Sequence, residues 1–334
     1  MVGGIISGFG SGGRLGAGEI MVAEACESDG TFLKLDPTIS VVTSLEREHM
    51  DYYETQERLF DAFTAFANKV PFYGCVVMCL DQPNLQALIP KVRRRIVTYG
   101  TSVQSDIMAS DIEQDGFTTR FTLTRRKDGK REQLGQIEIA SPGRFSVQNA
   151  LAAVTVGLEL NLEFDEIEKG LKAYKRAGRR FEHKGTVGDV VVIEDYGHHP
   201  TEIKATLRAA KEGWDRRLLV LFQPHRFTRT RDLLTEFFTA FNDADILFVT
   251  PIYPASESAI EGIDSGLISS GVKKMGHKAV FLAEDVEDAS RMVVEHARPN
   301  DMIIILGAGD IYKASEPILK GLNDKFGRKE NASS

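Results

Sequence analysis

The feature that most constrains the fold is a regular alternation in the second half of the chain. From Val187 onward, short apolar β-branched runs alternate with amphipathic segments that have helical spacing. Strands are predicted at 190–194, 218–222, 246–250, 279–282 and 302–306, with helices beginning near Thr201, Arg231, Asp264, Val286 and Ile311. Continuous apolar strands of this kind suit a parallel sheet covered by helices on both faces, where ligands bind beyond the carboxyl ends of the strands.

The first half is less regular but also has an α/β pattern. Strands are predicted at 20–23, 39–43, 75–80 and 96–99, and helices at 56–67 and 147–160. Segments 107–113, 117–125 and 133–139 predict a small antiparallel meander, with a hairpin turn at Lys127-Asp128-Gly129. The Arg- and Gly-rich stretch at 175–184 is the best candidate boundary. A chain of 334 residues therefore divides into a first domain at 1–178 and a second at 179–334.

Composition favours small-molecule partners in a reducing compartment. The 41 basic and 48 acidic residues give a net charge of −7, which argues against the basic face that nucleic acid requires. Cys26, Cys75 and Cys79 suggest neither a disulfide framework nor a metal cluster, so a cytoplasmic protein is expected. No apolar stretch approaches the roughly 20 residues of a membrane span, so no membrane partner is expected.

A glycine cluster near the start invites a different interpretation. Gly8, Gly10 and Gly13 satisfy G-x-G-x-x-G, the pattern of NAD-dependent oxidoreductases. That motif needs a helix directly after it to offer amide hydrogens to a pyrophosphate. Gly16 and Gly18 would interrupt such a helix, and we therefore favour a flexible loop.

Two polar loops follow neighbouring predicted strands in the first half. One runs from Glu24 to Asp29, and the other runs from Ser44 to Asp51 and contains His49. Carboxylates at strand ends can hold Mg²⁺, whose remaining ligands are water and phosphate. Each loop alone is compatible with a solvated surface, whereas two adjacent ones favour a ligand site.

Polar groups also follow four strands of the second half. These segments are 195–200, 223–231, 253–257 and 307–310. Arg226, Arg229 and Arg231 could clamp a carboxylate and a phosphoryl group through bidentate contacts. A basic surface loop with a helix N-cap at Thr230 explains the same spacing. The shared edge of one sheet favours a carboxylate-binding cleft.

At these residues the sequence resembles the Mur ligase family of ATP-dependent amide-bond-forming enzymes. The most specific motifs are Asp-Tyr-Gly-His-His-Pro-Thr-Glu-Ile at 195–203 and Phe-Gln-Pro-His-Arg at 222–226, which favour the alanine-adding branch over the murein-peptide recycling branch. The resemblance extends from Gly12 to Ile311. It implies a central ATPase domain, mostly a parallel sheet with the small meander, followed by a Rossmann-like doubly wound ligase domain.

The resemblance also implies an activity and a set of site residues. ATP would phosphorylate the carboxylate of UDP-N-acetylmuramate, and the amine of L-alanine would displace phosphate from the acyl phosphate, a step of peptidoglycan synthesis that uses Mg²⁺. By position, Glu24 and His49 match metal ligands, and Asn149, Arg179, Arg180 and Asp195 match nucleotide-binding residues. Tyr196, His198, His225, Arg226 and Arg229 match substrate-binding residues, of which His198, His225 and Arg226 are the catalytic candidates.

The chain departs from the family pattern at several positions. Ser44, Glu48, Cys26 and the pair Phe145-Ser146 replace Asn, Asp, Asp and His-Asn. The sequence contains no G-x-x-x-x-G-K-[ST] phosphate loop, which the family carries with its nucleotide-sugar domain ahead of the region that begins here. The resemblance therefore implies an N-terminally truncated ligase, inactive alone, with a first half less stable than the second. The alternative is a non-catalytic remnant or an amino-acid- or nucleotide-binding module.

Overall fold

A computed structural model describes residues 13–174 and 176–327 of the chain. These residues belong to two compact units, Met1–Ala177 and Gly178–Ser334. Gly8 and Gly10 of the glycine cluster lie outside the described residues, and the described stretch from Gly13 to Gly30 contains no helix.

The first unit alternates strands and helices and then forms a meander. Its strands are β1 (Ile39–Val42), β2 (Cys75–Cys79), β3 (Ile96–Gly100), β4 (Ile107–Asp115), β5 (Thr118–Lys127) and β6 (Lys130–Ile139). Its helices are α1 (Met50–Tyr53), α2 (Gln56–Asn68), α3 (Pro83–Leu88), α4 (Arg144–Glu159) and α5 (Phe164–Ala173), with 3₁₀ turns at Thr31–Lys34 and Ile89–Lys91.

One mixed sheet organises this unit, with its strands in chain order from β1 to β6. Strands β1 to β4 are parallel, and β4, β5 and β6 are antiparallel. All five residues of β2 are buried, as the unbroken apolar run predicts for a strand covered on both faces. The predicted hairpin turn at 127–129 is present as a two-residue turn, because Asp128 and Gly129 lie between β5 and β6 and both have positive φ.

The predicted strand at 20–23 is absent. Ile20, Met21 and Val22 are 63%, 74% and 76% exposed, and β1 is the first strand of the described residues. An apolar run becomes a strand only when a neighbour supplies ladder hydrogen bonds and an apolar face to cover it. Within the residues described, this segment pairs with no strand, so its sequence pattern alone does not hold a β conformation.

The second unit is the predicted βα repeat. Its strands are β7 (Glu182–Val187), β8 (Val190–Asp195), β9 (Arg217–Phe222), β10 (Ile246–Val249), β11 (Val280–Leu282) and β12 (Asp301–Leu306). Its helices are α6 (Pro200–Gly213), α7 (Phe227–Asp232), α8 (Leu234–Phe237), α9 (Ser265–Lys274), α10 (Val286–His296) and α11 (Ser315–Phe326), and a 3₁₀ turn at Asp310–Ala314 precedes α11.

The sheet of this unit has the order β11-β10-β9-β12-β8-β7 and is parallel except for β7. Consecutive residues of β12, such as Ile303 and Ile304, point to opposite faces of the sheet, and both are fully buried. Residues of α10 and α11 belong to the apolar cluster on one face, and fully buried Ile203 and Leu207 of α6 belong to the same unit. The predicted α/β, doubly wound architecture is confirmed.

One helix boundary in this unit differs from the prediction. Helix α7 begins at Phe227, not near Arg231, and Thr230 lies inside it. The Thr230 hydroxyl donates to the carbonyl of Arg226 (2.9 Å) and caps nothing. The alternative of a loop ending in an N-cap at Thr230 is therefore wrong.

None of the helices among the described residues combines the length and the apolar composition that crossing a bilayer requires.

Candidate functional site

Four loops of the second unit meet at the carboxyl edge of its sheet. They follow β8, β9, β10 and β12, and in the sheet these strands are adjacent in the order β10-β9-β12-β8. Four rings from three of the loops form a row. The ring centroids of Tyr196 and His198 are 5.4 Å apart, those of His198 and His225 are 5.8 Å apart, and those of His225 and Tyr253 are 5.6 Å apart. Residues separated by more than 50 positions in sequence thus share one surface.

The His198 ring has a defined tautomer. Its Nδ1 lies 3.1 Å from the Tyr196 carbonyl and 3.5 Å from Oε2 of Glu202, both of which can only accept. Burial lowers the pKa of His198, attraction to Glu202 opposes this shift, and repulsion from Arg229 adds to it. The ring is therefore neutral at pH 7, with its proton on Nδ1 and its lone pair on Nε2.

The His225 ring has the opposite tautomer. An N–H of Arg229 donates to its Nδ1 (3.1 Å), so the neutral ring carries its proton on Nε2. Burial, together with repulsion from Arg229 and from other neighbouring groups, lowers the pKa of His225 to about 4. The two histidines thus present a lone pair and an N–H at their Nε2 atoms.

Backbone hydrogen bonds join the loops that follow β9 and β10. The Arg226 amide donates to the Tyr253 carbonyl, and the Tyr253 amide donates to the Pro224 carbonyl, both at 2.8 Å. Arg226 itself has φ 71 and ψ 139, a conformation that residues with a Cβ rarely adopt. The strained backbone and the cross-loop bonds together fix where Arg226 and the start of α7 lie.

Glu257 supports this arrangement and was not identified as functional from the sequence. One oxygen accepts from the Thr228 amide (3.0 Å) and the other accepts from the Thr228 hydroxyl (2.6 Å). Its carboxylate is also 3.9 Å from the Arg226 guanidinium. Ala255 and Ser256, directly before it, both have positive φ. Glu257 thus acts as an N-terminal cap from another loop, which local sequence signals do not reveal.

Asp195 and Glu202 stabilise the loop that follows β8 by accepting hydrogen bonds from backbone amides. Asp195 is 7% exposed and accepts from the amides of Phe181 and Gly197, each at 2.7 Å. Burial raises the pKa of Asp195, and these two amide bonds oppose the shift. Glu202 accepts from the His198 and His199 amides (3.0 and 3.1 Å) and forms the capping box of α6. The sequence analysis predicted a helix start near Thr201, and the structure shows that the residue paired with Glu202 in the capping box is His199.

The two adjacent arginines before β7 have different surroundings. The Arg179 side chain is 25% exposed and its Nε lies 2.9 Å from Glu194. The Arg180 side chain is 55% exposed and lies 3.6 Å from Glu202. Both guanidinium groups lie over the Tyr196 ring, at 4.9 and 5.4 Å from its centroid. The structure therefore brings both arginines to the loop that carries His198.

A second cluster lies in the first unit. His49 Nε2 is 3.3 Å from a Glu27 oxygen and 4.0 Å from a Glu48 oxygen, and one potential ligand atom from each residue lies within 4.8 Å of the others. An imidazole and two carboxylates form a donor set that suits a divalent cation. Glu24 is exposed and is not a member of this cluster. The structure thus brings His49 together with Glu27 and Glu48, which the sequence analysis did not propose as ligands.

Asn149 is exposed on the first half of α4. Phe145, one turn earlier, is 37% exposed, so an aromatic ring and an amide occupy the same side of this helix. Nearby, Gln148 donates to Asp81, which also accepts from the Thr101 and Ser102 amides. This network ties α4 to the loops that follow β2 and β3.

Comparison with known proteins defines the class. The Mur ligase middle domain matches residues 16–157, and the Mur ligase glutamate ligase domain matches residues 179–309. Relatives over nearly the whole chain are 43–48% identical. The chain belongs to the Mur ligase family, and the predicted resemblance is confirmed.

Two relatives with high sequence identity to the chain both bear the name of the alanine-adding branch of the family. The chain is 48% identical to UDP-N-acetylmuramate–L-alanine ligase of Geotalea uraniireducens (strain Rf4), over 96% of the chain and 69% of that protein. It is 46% identical to the enzyme of the same name from Desulfatibacillum aliphaticivorans, over 96% of the chain and 69% of that protein. The crystal structure of UDP-N-acetylmuramate-alanine ligase MurC from Thermotoga maritima shares the fold, with a TM-score of 0.71 and 22% identity over 90% of this chain and 63% of that one. The chain therefore spans about two thirds of the length of these proteins.

Proposed function

We propose that the chain carries the nucleotide- and alanine-binding parts of an ATP-dependent ligase that joins L-alanine to the carboxylate of UDP-N-acetylmuramate in peptidoglycan biosynthesis. The observation that carries this proposal is the row of four rings at the carboxyl edge of the second sheet, with Arg229 bonded into it. Two relatives that bear the name of this activity are 48% and 46% identical to the chain, each over 96% of its length.

The chemistry of the row suits an amino acid and an activated carboxyl group. Arg226 and Arg229 supply positive charge for carboxylate oxygens, and the Nε2–H of His225 adds a neutral donor. The Nε2 lone pair of His198 suits the amine. In the proposed reaction the amine nitrogen of alanine bonds to the acyl carbon and the carbon–oxygen bond to phosphate breaks. Inorganic phosphate then leaves, and the proton lost by the amine passes to His198.

The remaining predicted residues are proposed for ATP. Arg180 is exposed enough for its guanidinium to meet phosphate oxygens, and Asn149 with Phe145 offers an amide and a ring to a base. Asp195 contributes by fixing the turn at Phe181 and Gly197, since its oxygens accept from those amides. A likeness in fold to a Thermotoga maritima MurF ligase solved in complex with ADP supports a nucleotide site, with a TM-score of 0.66 and 16% identity.

We propose Mg²⁺ as the cofactor, held by His49 and Glu27 with Glu48 beside them, while Glu24 remains a ligand proposed from the resemblance. The close donor set of one imidazole and two carboxylates supports this assignment. When bound, the cation would neutralise charge on phosphate oxygens. Titration with Mn²⁺ tests the site. Glu27→Gln and His49→Gln should each weaken binding about tenfold, as expected for loss of one ligand worth about 1.4 kcal/mol. An unchanged affinity in both variants would contradict the assignment.

Calorimetric titration of the whole chain with L-alanine tests the substrate proposal. Arg229→Gln should weaken binding at least tenfold because it removes the cation bonded to His225. Arg231→Gln is the matched control, since Arg231 lies two residues further on the same helix, is 51% exposed and pairs with Asp232. Equal affinities of the two variants would refute the proposal. No heat with the unchanged chain would favour the alternative of a non-catalytic remnant.

A further inference from the structure

Arg179 and Arg180 are neighbours in sequence, but the Arg179 side chain is only 25% exposed whereas that of Arg180 is 55% exposed. The Arg179 guanidinium lies between two rings, 4.9 Å from the Tyr196 centroid and 5.0 Å from the Tyr312 centroid. Its backbone is also engaged, because its amide donates to Glu182 (2.7 Å) and its carbonyl accepts from the Tyr196 amide (2.7 Å). A residue held at both backbone and side chain is rigidly placed.

A buried carboxylate anchors this guanidinium from below. Glu194, at the end of β8, has a side chain only 4% exposed and lies 2.9 Å from Nε of Arg179. Its other oxygen accepts from the Ser315 hydroxyl (3.1 Å) and lies 3.6 Å from Lys184. A buried carboxylate with this many partners is costly to disturb, because removing a partner leaves charge without compensation.

The far end of Arg179 holds the loop after β12. Its Nη2 amino group donates to the carbonyls of Gly307 (2.5 Å) and Gly309 (3.3 Å). This loop packs tightly, since a Cβ on Gly309 would lie 2.4 Å from the Gln223 side chain and 2.6 Å from the Tyr253 ring. Gln223 completes the attachment by accepting from the Ile311 amide (3.1 Å). Arg179 therefore links the strand end that carries Tyr196 to the loop that packs under Tyr253.

We propose that Arg179 is a positioning residue that holds both ends of the ring row, Tyr196 through cation–π contact and Tyr253 through the Gly307–Gly309 loop. The neighbouring Arg180 then meets the nucleotide phosphates alone. The assignment of Arg180 to nucleotide phosphates rests on the proposed function. The link that Arg179 makes between the two ends of the ring row does not depend on it. This division of roles also revises the expectation that both arginines bind phosphate. Lysine cannot replace Arg179, because the link needs a planar group with several donors set at fixed angles.

Hydrogen exchange followed by mass spectrometry tests the link without any ligand. In Arg179→Lys, amides of the segment 305–312 should exchange about tenfold faster than in the unchanged chain. The same segment in Arg180→Lys should exchange at the original rate. If Arg179→Lys fails to fold, Tyr312→Leu serves instead, since this ring is 45% exposed and its loss removes one face of the sandwich. Unchanged exchange in the Arg179 or Tyr312 variant would overturn the proposal.

Calorimetry separates positioning from direct contact. Arg179→Lys should weaken L-alanine binding about tenfold and leave the affinity for Mg²⁺·ATP within twofold, whereas Arg180→Gln should do the reverse. A loss of nucleotide affinity in Arg179→Lys as large as in Arg180→Gln would overturn the positioning role. If the unchanged chain binds neither ligand, the proposed function fails, and the exchange experiment alone decides the role of Arg179.

Discussion

Removing the Glu257 carboxylate should loosen the arginine-bearing helix α7. The change Glu257→Ala deletes two hydrogen bonds to Thr228, one from its amide at 3.0 Å and one from its hydroxyl at 2.6 Å. The side chain is only 18% exposed, so water replaces these bonds incompletely. Loss of a helix cap lowers the free energy of unfolding by about 0.5–2 kcal/mol. Because the lost acceptor is charged, we expect a loss of about 2–3 kcal/mol.

The expected cost can be measured as a melting shift. A domain of this size loses roughly 2–4 °C of Tm per kcal/mol, so Glu257→Ala should lower the Tm of the second unit by about 5–10 °C. Glu257→Gln keeps one acceptor and should lose about half as much. Scanning calorimetry gives the shift, and hydrogen exchange at the Thr228 amide reports the local loosening.

The effect also has a defined pH dependence. Burial raises the pKa of Glu257, but the hydrogen bonds from Thr228 outweigh this and hold it below the ordinary value. Since the folded-state pKa is depressed, the stabilisation is complete at neutral pH and is lost on acidification through the folded pKa. Glu261→Ala, a change at an exposed carboxylate four residues further on, is the control. Equal Tm values for the two alanine variants would refute the capping role.

Three further predictions concern other parts of the two units. Asp81→Ala should destabilise the first unit by about 2–3 kcal/mol in urea unfolding, because it leaves the Thr101 and Ser102 amides without their charged acceptor; a cost below about 0.5 kcal/mol would count against this network. The pKa of His225 lies at about 4, below its unfolded value, so stability should fall as pH drops from about 6.5 to about 4. His225→Gln should flatten that slope, and an NMR titration that protonates His225 above pH 6 would contradict the assignment. Gly309→Ala should cost about 1–3 kcal/mol of unfolding free energy because its Cβ would collide with Gln223 and Tyr253; unchanged calorimetric stability would show that the loop yields.

The five parallel strands of the second unit, β8 to β12, were predictable because their pattern has one physical cause, whereas the antiparallel β7 was not predicted. A strand buried on both faces must be apolar at consecutive positions, and β9 and β12 satisfy this over nearly their whole length. The predicted ends differ from the observed ends by about one residue. The strand order could not be predicted in the same way, because the insertion of β12 between β8 and β9 depends on contacts distant in sequence.

The segment at 20–23 shows where a local pattern fails. Ile20 to Val22 has the composition of a strand, yet pairing decides strand formation, and this run has no paired strand in the described part of the chain. The predicted start of helix α7 was wrong for a related reason. Its cap comes from Glu257, 29 residues further along the chain, so no window around Phe227 contains the signal.

The candidate site also has features that the sequence predicted and features that it could not predict. Tyr196, His198 and His225 were identifiable because they directly follow predicted strands, and the structure places their rings in one row. Their tautomers depend on which ring nitrogen faces the Tyr196 carbonyl and Arg229, and although these partners are only two and four residues away, the sequence does not fix those orientations. The sequence also offered Glu24, Glu27 and Glu48 as similar acids near His49, and spacing could not show which of them approach it.

The unusual backbone of Arg226 has a consequence for how this loop tolerates change. At φ 71 and ψ 139 a side chain costs about 1–3 kcal/mol that glycine would not. Replacing Arg226 with glycine should therefore make the isolated fold more resistant to heat while removing a cation from the cleft. Selection for thermal robustness alone would tend to discard this arginine, and its presence indicates that the loop is under a requirement other than stability.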